Sequence, residues 1–165
     1  MTDKTKLQRR IRYLLVFFMG ALAVSGLTAI PLQWKLRILM PLIEQAAQWG
    51  IHFTAFSQWI ARINDAVQNG YGQYPFLAYG TDWLAFGHVT IALAFIGPLR
   101  DPIKNIWVIE FGMIACLLVI PWALVFGAMR EIPFFWQLID MSFGILGIIP
   151  LWVARHAVLR LTSEL

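Results

Sequence analysis

Four apolar runs, residues 13–32, 76–97, 106–127 and 134–154, each hold 20 to 22 residues. A helix needs about 20 residues to cross the hydrocarbon core of a bilayer. The first run has no ionisable group but Tyr13, whereas the others carry Asp82 with His88, Glu110, and Asp140. Of the 165 residues 59% are hydrophobic and only 13% charged, with a mean hydropathy of +0.67. A soluble domain averages about 25% charged residues. The expected fold is therefore all-α: a polytopic membrane protein whose four transmembrane helices form a bundle. The runs fill more than half the chain, so residues 1–165 read as a single membrane domain.

The net charge is +4 and the isoelectric point about 9.6. The basic residues gather at the ends of the runs, which argues for topology and against a nucleic-acid partner. Lys4, Lys6, Arg9, Arg10 and Arg12 precede the first run, Arg100 and Lys104 lie between the second and third, and Arg155 and Arg160 follow the fourth. The alternate segments carry only Lys35, Arg37, Arg62 and Arg130. Lys and Arg are enriched in cytoplasmic loops, so both termini are expected in the cytoplasm of a multi-pass cell-membrane protein, of the bacterial inner-membrane type. Ala21-Leu22-Ala23 resembles a signal-peptidase site, but the apolar character continues to Leu32, which favours an uncleaved first helix. Ala21, Ser25 and Ala29 recur at the four-residue spacing that lets membrane helices approach closely.

Residues 33–75 form the one sizeable segment between runs. From Leu39 to Val67 its apolar residues follow helical spacing, opposite a stripe of Gln45, Gln48, His52, Trp59, Arg62 and Asp65. This predicts an outer amphipathic helix, breakable near Gly50, that serves as a strap on the outer leaflet more readily than as a lid. Gly97 to Pro102 and Gly127 to Pro133 read as tight turns that make the last three spans antiparallel neighbours. Trp34, Trp107, Trp136 and Trp152 sit near run ends, where indole rings favour the headgroup region. Trp83 and Trp122 lie deeper and are expected to pack inside. Cys116, the single cysteine, reads as a small buried apolar residue.

The polar groups within the runs form the candidate site. Asp82 and Asp140 each lie six residues past the outer edge of their span, about 9 Å deep at 1.5 Å per residue. Equal depth permits them to share a cation, a proton or an arginine, or to clasp Arg62, Arg130 or Tyr79. Gln137, Asp140, Gly144, Gly147 and Leu151 step along one face of the fourth span, where the glycines admit a neighbouring helix. Tyr79, Asp82 and Phe86 share one face of the second span. His88 lies near mid-membrane and reads three ways: a neutral ring bonded to a carbonyl or hydroxyl, a proton relay, or an axial haem ligand. Glu110, four residues from the inner edge of its span, is expected to pair with Arg100 or Lys104. Pro121 and Pro150 interrupt spans three and four, each removing a helical hydrogen bond.

Catalytic signatures such as HExxH, GxSxG, a P-loop, a dinucleotide fingerprint or CxxCH are missing from the sequence. No histidine cluster suits a catalytic metal. The reading is a small non-enzymatic membrane protein with a buried acidic–histidine site, formed from Asp82, His88, Asp140, Gln137, Tyr79 and Glu110. The site would bind a proton, a cation or a small ligand without a cofactor, or join the chain to a homo-oligomer or larger membrane complex. Two alternatives stay open: a redox protein holding haem or quinone near His88 and Trp83, and a lipid-modifying enzyme using Asp82 or Asp140 as a base. The topology has a direct check. In a Cys116→Ser background, Arg100→Cys and Arg160→Cys should react with an impermeant maleimide from the same side of the membrane, and Arg37→Cys from the other.

Overall fold

The computed structural model describes residues 3–50 and 54–163, and every regular element among them is helical. In chain order these are α1 (Asp3–Leu27), α2 (Leu32–Gln48), α3 (Thr54–Gln73), a 3-10 turn (Pro75–Ala78), α4 (Tyr79–Ala94), α5 (Ile96–Arg100), α6 (Ile106–Met129) and α7 (Phe134–Ser163). Four segments are long and apolar enough to cross a membrane: Lys4–Leu27, Pro75–Arg100, Ile106–Met129 and Phe134–Ser163. The chain divides into two compact units, one of residues 1–22 with 90–165 and one of residues 23–89. The divisions fall within α1 and α4.

The larger unit is built on the pair α6–α7. Gly112 lies beside Leu151, Cys116 beside Gly144 and Gly147, and Gly127 beside Gln137. Partners advance along one helix as they retreat along the other, so the pair is antiparallel. A Cβ placed on Gly144 would collide with the Cys116 backbone carbonyl. The two backbones therefore touch, a spacing that only a residue without a side chain allows. The part of α1 that belongs to this unit adds Ile11, Leu15 and Phe18 to the core, where they join Phe95, Ile109, Leu151 and Val158. The Phe18 and Phe95 rings stack with centroids 4.9 Å apart.

Prolines account for some boundaries and not for others. Pro98 has no N–H to offer the carbonyl of Ala94, and α4 ends at that residue. Phe95 N–H bonds instead to Ala92 O at 3.2 Å, and the helix resumes when Leu99 N–H bonds to Phe95 O at 3.0 Å. Pro31 stands between α1 and α2, and α1 stops at Leu27, five residues before the apolar run does. Pro121 and Pro150 lie inside α6 and α7 without dividing either.

Both tight turns have defined fastenings. After α6, Ile132 N–H bonds to Gly127 O at 2.9 Å and Glu131 N–H to Ala128 O at 3.3 Å. This is the Schellman pattern, which needs a left-handed residue, and Glu131 supplies it with φ 56°. Between α5 and α6, Asn105 Nδ2 donates to Asp101 O at 2.9 Å and to Gly97 O at 3.3 Å.

In the smaller unit the amphipathic segment is two helices, not one. Gly50 adopts φ 78° directly after α2, a left-handed conformation glycine takes without strain. His52 and Phe53 of the expected stripes lie outside the described residues. Leu36 of α2 and Ile60 and Val67 of α3 are buried, and α2 packs along α3. Gly70 of α3 lies over the Leu77 side chain of the 3-10 turn.

Two packing expectations are corrected. Trp83 and Trp122 do not pack inside: they are 55% and 66% exposed. Each stacks on rings of its own helix instead, Trp83 on Tyr79 and Phe86, Trp122 on Phe126. A helix that is apolar all round gives no sequence clue to its inner face, so depth along the run was the wrong guide. On α1 the close approach is not made by Ala21, Ser25 and Ala29, of which none is buried, but by buried Gly26. A Cβ there would collide with the Cβ of His88.

These contacts rank the glycines. Gly144→Ala should destabilise the detergent-solubilised chain by about 1–3 kcal/mol through overpacking. Gly20→Ala, at a position with nothing within 4 Å, should stabilise it by about 0.5–1 kcal/mol through helix propensity. Thermal unfolding followed by circular dichroism measures both.

Candidate functional site

Asp82 stands in the first turn of α4 and is exposed, with no hydrogen bond or ion pair to a described residue. Around it the α4 surface is aromatic. Tyr79 and Trp83 meet edge to face at 5.8 Å, Trp83 and Phe86 at 5.3 Å, and all three rings are more than half exposed. Tyr79 and Asp82 thus share a face, as their spacing requires, and that face is the open one. Thr81 donates its hydroxyl proton to Ala78 O of the preceding 3-10 turn at 2.7 Å.

His88 lies two turns further along α4 and is half-buried against Gly26. Its Nδ1 is 2.8 Å from Leu84 O. A carbonyl only accepts, so Nδ1 is the donor in this bond and Nε2 is not used by it. His88 thus bonds to a carbonyl of its own helix. No bond joins His88 to Asp82.

The remaining site residues belong to the larger unit. Gln137 is 6% exposed and donates from Nε2 to Ile132 O at 2.7 Å. Its Cγ and Cδ cover Gly127, which leaves no room there for a side chain. Gln137 is thus committed to fastening the α6–α7 turn. Asp140, one turn on, is half-buried, and its carboxylate has no hydrogen bond or ion pair with a described residue. Buried Gly144 and Leu151 complete the inward stripe of α7 as its spacing predicts.

Glu110 departs from expectation. Its Oε1 accepts from Arg155 Nε at 2.8 Å, and neither Arg100 nor Lys104 is its partner. Lys104 bonds instead to Asp101, Nζ to Oδ2 at 3.6 Å, within its own turn. The reason is register. Glu110 sits one turn into α6, and Arg155 of antiparallel α7 lies at the same level, whereas Lys104 precedes the helix altogether. Depth matching across the hairpin was the available signal, since Arg155 could be placed opposite Glu110 by counting from the turn. Arg155, Asn105 and Gly26 are the structural residues that sequence reasoning missed.

The candidate residues therefore divide by unit and by role. Tyr79, Asp82 and His88 lie in the smaller unit, and Glu110, Gln137 and Asp140 in the larger. Glu110 and Gln137 are spent on α6–α7, while Asp82 and Asp140 keep their carboxylates unengaged by described residues. Among the described residues no three His, Cys, Asp or Glu side chains group closely enough to hold a metal ion. No protein-family model matches the chain, and neither a curated protein nor a solved structure matches it.

The Glu110–Arg155 pair is testable on its own. A double-mutant cycle with Glu110→Gln and Arg155→Gln should give a coupling energy of about 1–2 kcal/mol, between exposed and buried values. The parallel cycle with Lys104→Gln in place of Arg155→Gln should give none.

Proposed function

We propose that this chain is a small, non-enzymatic, multi-pass protein of the cell membrane that docks through its intramembrane carboxylates to a larger membrane assembly. Its four long helices cross the bilayer as a bundle with both termini in the cytoplasm, and the α2–α3 pair lies on the outer side. Nine of the 13 Lys and Arg residues fall on the cytoplasmic side of that arrangement, as the positive-inside rule requires.

The observation that carries the docking role is Asp82. It is an exposed carboxylate without a described partner, in a segment otherwise fit to cross a membrane, ringed by exposed Tyr79, Trp83 and Phe86. An unpartnered aspartate costs about 2.5–3.5 kcal/mol at the centre of a membrane helix on insertion scales, and Asp82, in the first turn of α4, bears part of that cost. A basic or hydrogen-bonding group from another membrane chain would offset that cost, and the surrounding rings would supply apolar contact area. Aromatic residues beside one buried polar pair are what a strong interface centre is made of. Asp140, also unengaged by a described residue, gives a second carboxylate on another long apolar helix.

The test is the size of the assembly. Membranes are solubilised in mild detergent and run on a native gel with the tagged full chain. The wild type should migrate well above its 18.9 kDa mass plus detergent, and Asp82→Leu should shift to the monomer position. Trp122→Leu, an exposed apolar substitution in the other unit, should leave migration unchanged. Wild-type migration of Asp82→Leu would refute the docking role. A haem absorption band lost on His88→Gln would replace it with a redox function.

A further inference from the structure

The larger unit contains a cavity of about 500 Å³ whose lining comes from three places: the first turns of α1, the α5 segment with the turn after it, and the end of α7. Its apolar floor includes Ile11, Pro98 and Leu161, all buried. Arg9 and Arg12 of α1 and Arg100 of α5 line it as well, with exposed side chains. Arg9 and Arg12 are three residues apart and so share a helix face. None of the three guanidiniums has a hydrogen bond or ion pair with a described residue. Asp101 is the single carboxylate in the lining. It is already occupied, accepting from Lys104 N–H at 3.1 Å and lying 3.6 Å from Lys104 Nζ.

Topology alone explains basic residues at this end of the helices. It does not explain why two elements far apart in sequence place three arginines, none paired with a described residue, around one concavity with an apolar floor. Three such forks around a half-open cavity match an anion with several oxygens, for which guanidinium geometry is suited. We propose that this cavity binds a phosphate group, held by Arg9, Arg12 and Arg100, with the apolar floor beneath it. Basic pockets between membrane helices on the cytoplasmic side take phosphate-bearing headgroups in this manner. The phosphate can be that of an anionic phospholipid or a free phosphate, and the two differ in whether the apolar floor is used.

The full chain, purified in maltoside micelles, is titrated in two arms at constant ionic strength. Phosphatidylglycerol is followed by native mass spectrometry of retained lipid, and inorganic phosphate by equilibrium dialysis with radiolabelled anion. The triple variant Arg9→Gln/Arg12→Gln/Arg100→Gln should weaken binding by about 100-fold, and each single change by about fivefold. The control Lys35→Gln/Arg37→Gln/Arg62→Gln removes the same charge elsewhere and should stay within about twofold of wild type, as expected when only contacts near the ligand count. Gln8→Trp, at an exposed lining position, narrows the cavity with every charge kept. It tests the site independently of the triple variant's folding and should weaken lipid retention. Loss in the lipid arm alone assigns the site to a headgroup, and loss in both arms to the phosphate group itself. The proposal is overturned if neither probe binds the wild type, if the triple variant binds as wild type does, or if the control triple loses as much as the cavity triple.

Discussion

The contact of Gly144 with the Cys116 carbonyl sets the separation of α6 and α7, and the rest of the larger unit follows from that spacing. With the backbones this close, neighbouring positions have only narrow choices. Gly127 must also be bare, because Gln137 lies across it, and Gly112 is bare beneath Phe95 and Leu151. The same register brings Glu110 level with Arg155. Packing energy between such helices comes from dispersion contacts, and these fall off steeply once a gap opens. An atom added at Gly144 would therefore disturb the pair along its whole length.

Polar side chains in this protein mostly close local structure. Gln137 fastens one turn and Asn105 another, while Thr28, Thr81 and Ser142 each return a hydroxyl proton to a carbonyl three residues earlier. His88 and His156 bond the carbonyls four residues before them. In a chain rich in apolar surface these pairings remove orphan polar groups, which is the usual condition for burying them. Against that background Asp82 and Asp140 differ, because neither carboxyl group bonds to a described residue.

Much of the helical layout could be read from the chain, for physical reasons that also explain the failures. Length and apolar content announced four helices long and apolar enough to cross a membrane, since a run of about 20 largely apolar residues has few alternatives. Proline and glycine at Gly97–Pro98 and Gly127–Pro133 announced the turns. Facing was much less legible. Where every side of a helix is apolar, periodicity is silent, and Trp83 and Trp122 were assigned inward on depth alone. Small residues carried what facing signal there was. They served well on α7, where Gly144 is buried, and misled on α1, where Gly26 rather than the Ala21–Ser25–Ala29 series is buried. Glu110 pairs with Arg155 because register across the hairpin, not nearness in sequence to Lys104, sets which basic group lies level with it.

One feature of the layout bears on how the protein comes to be made. The larger unit is discontinuous: residues 1–22 belong with residues 90–165, and residues 23–89 form a unit between them. The α6–α7 hairpin is joined by a short turn and is closed by contacts near in sequence, so its loop-closure entropy is small. Ile11, Leu15 and Phe18 reach their core neighbours only across the whole intervening segment. Part of that core is available to α1 once Phe95 and Ile109 have been made, and it is completed only when α7 supplies Leu151 and Val158. Closure of the larger unit therefore waits on its last helix, although its first contacts do not.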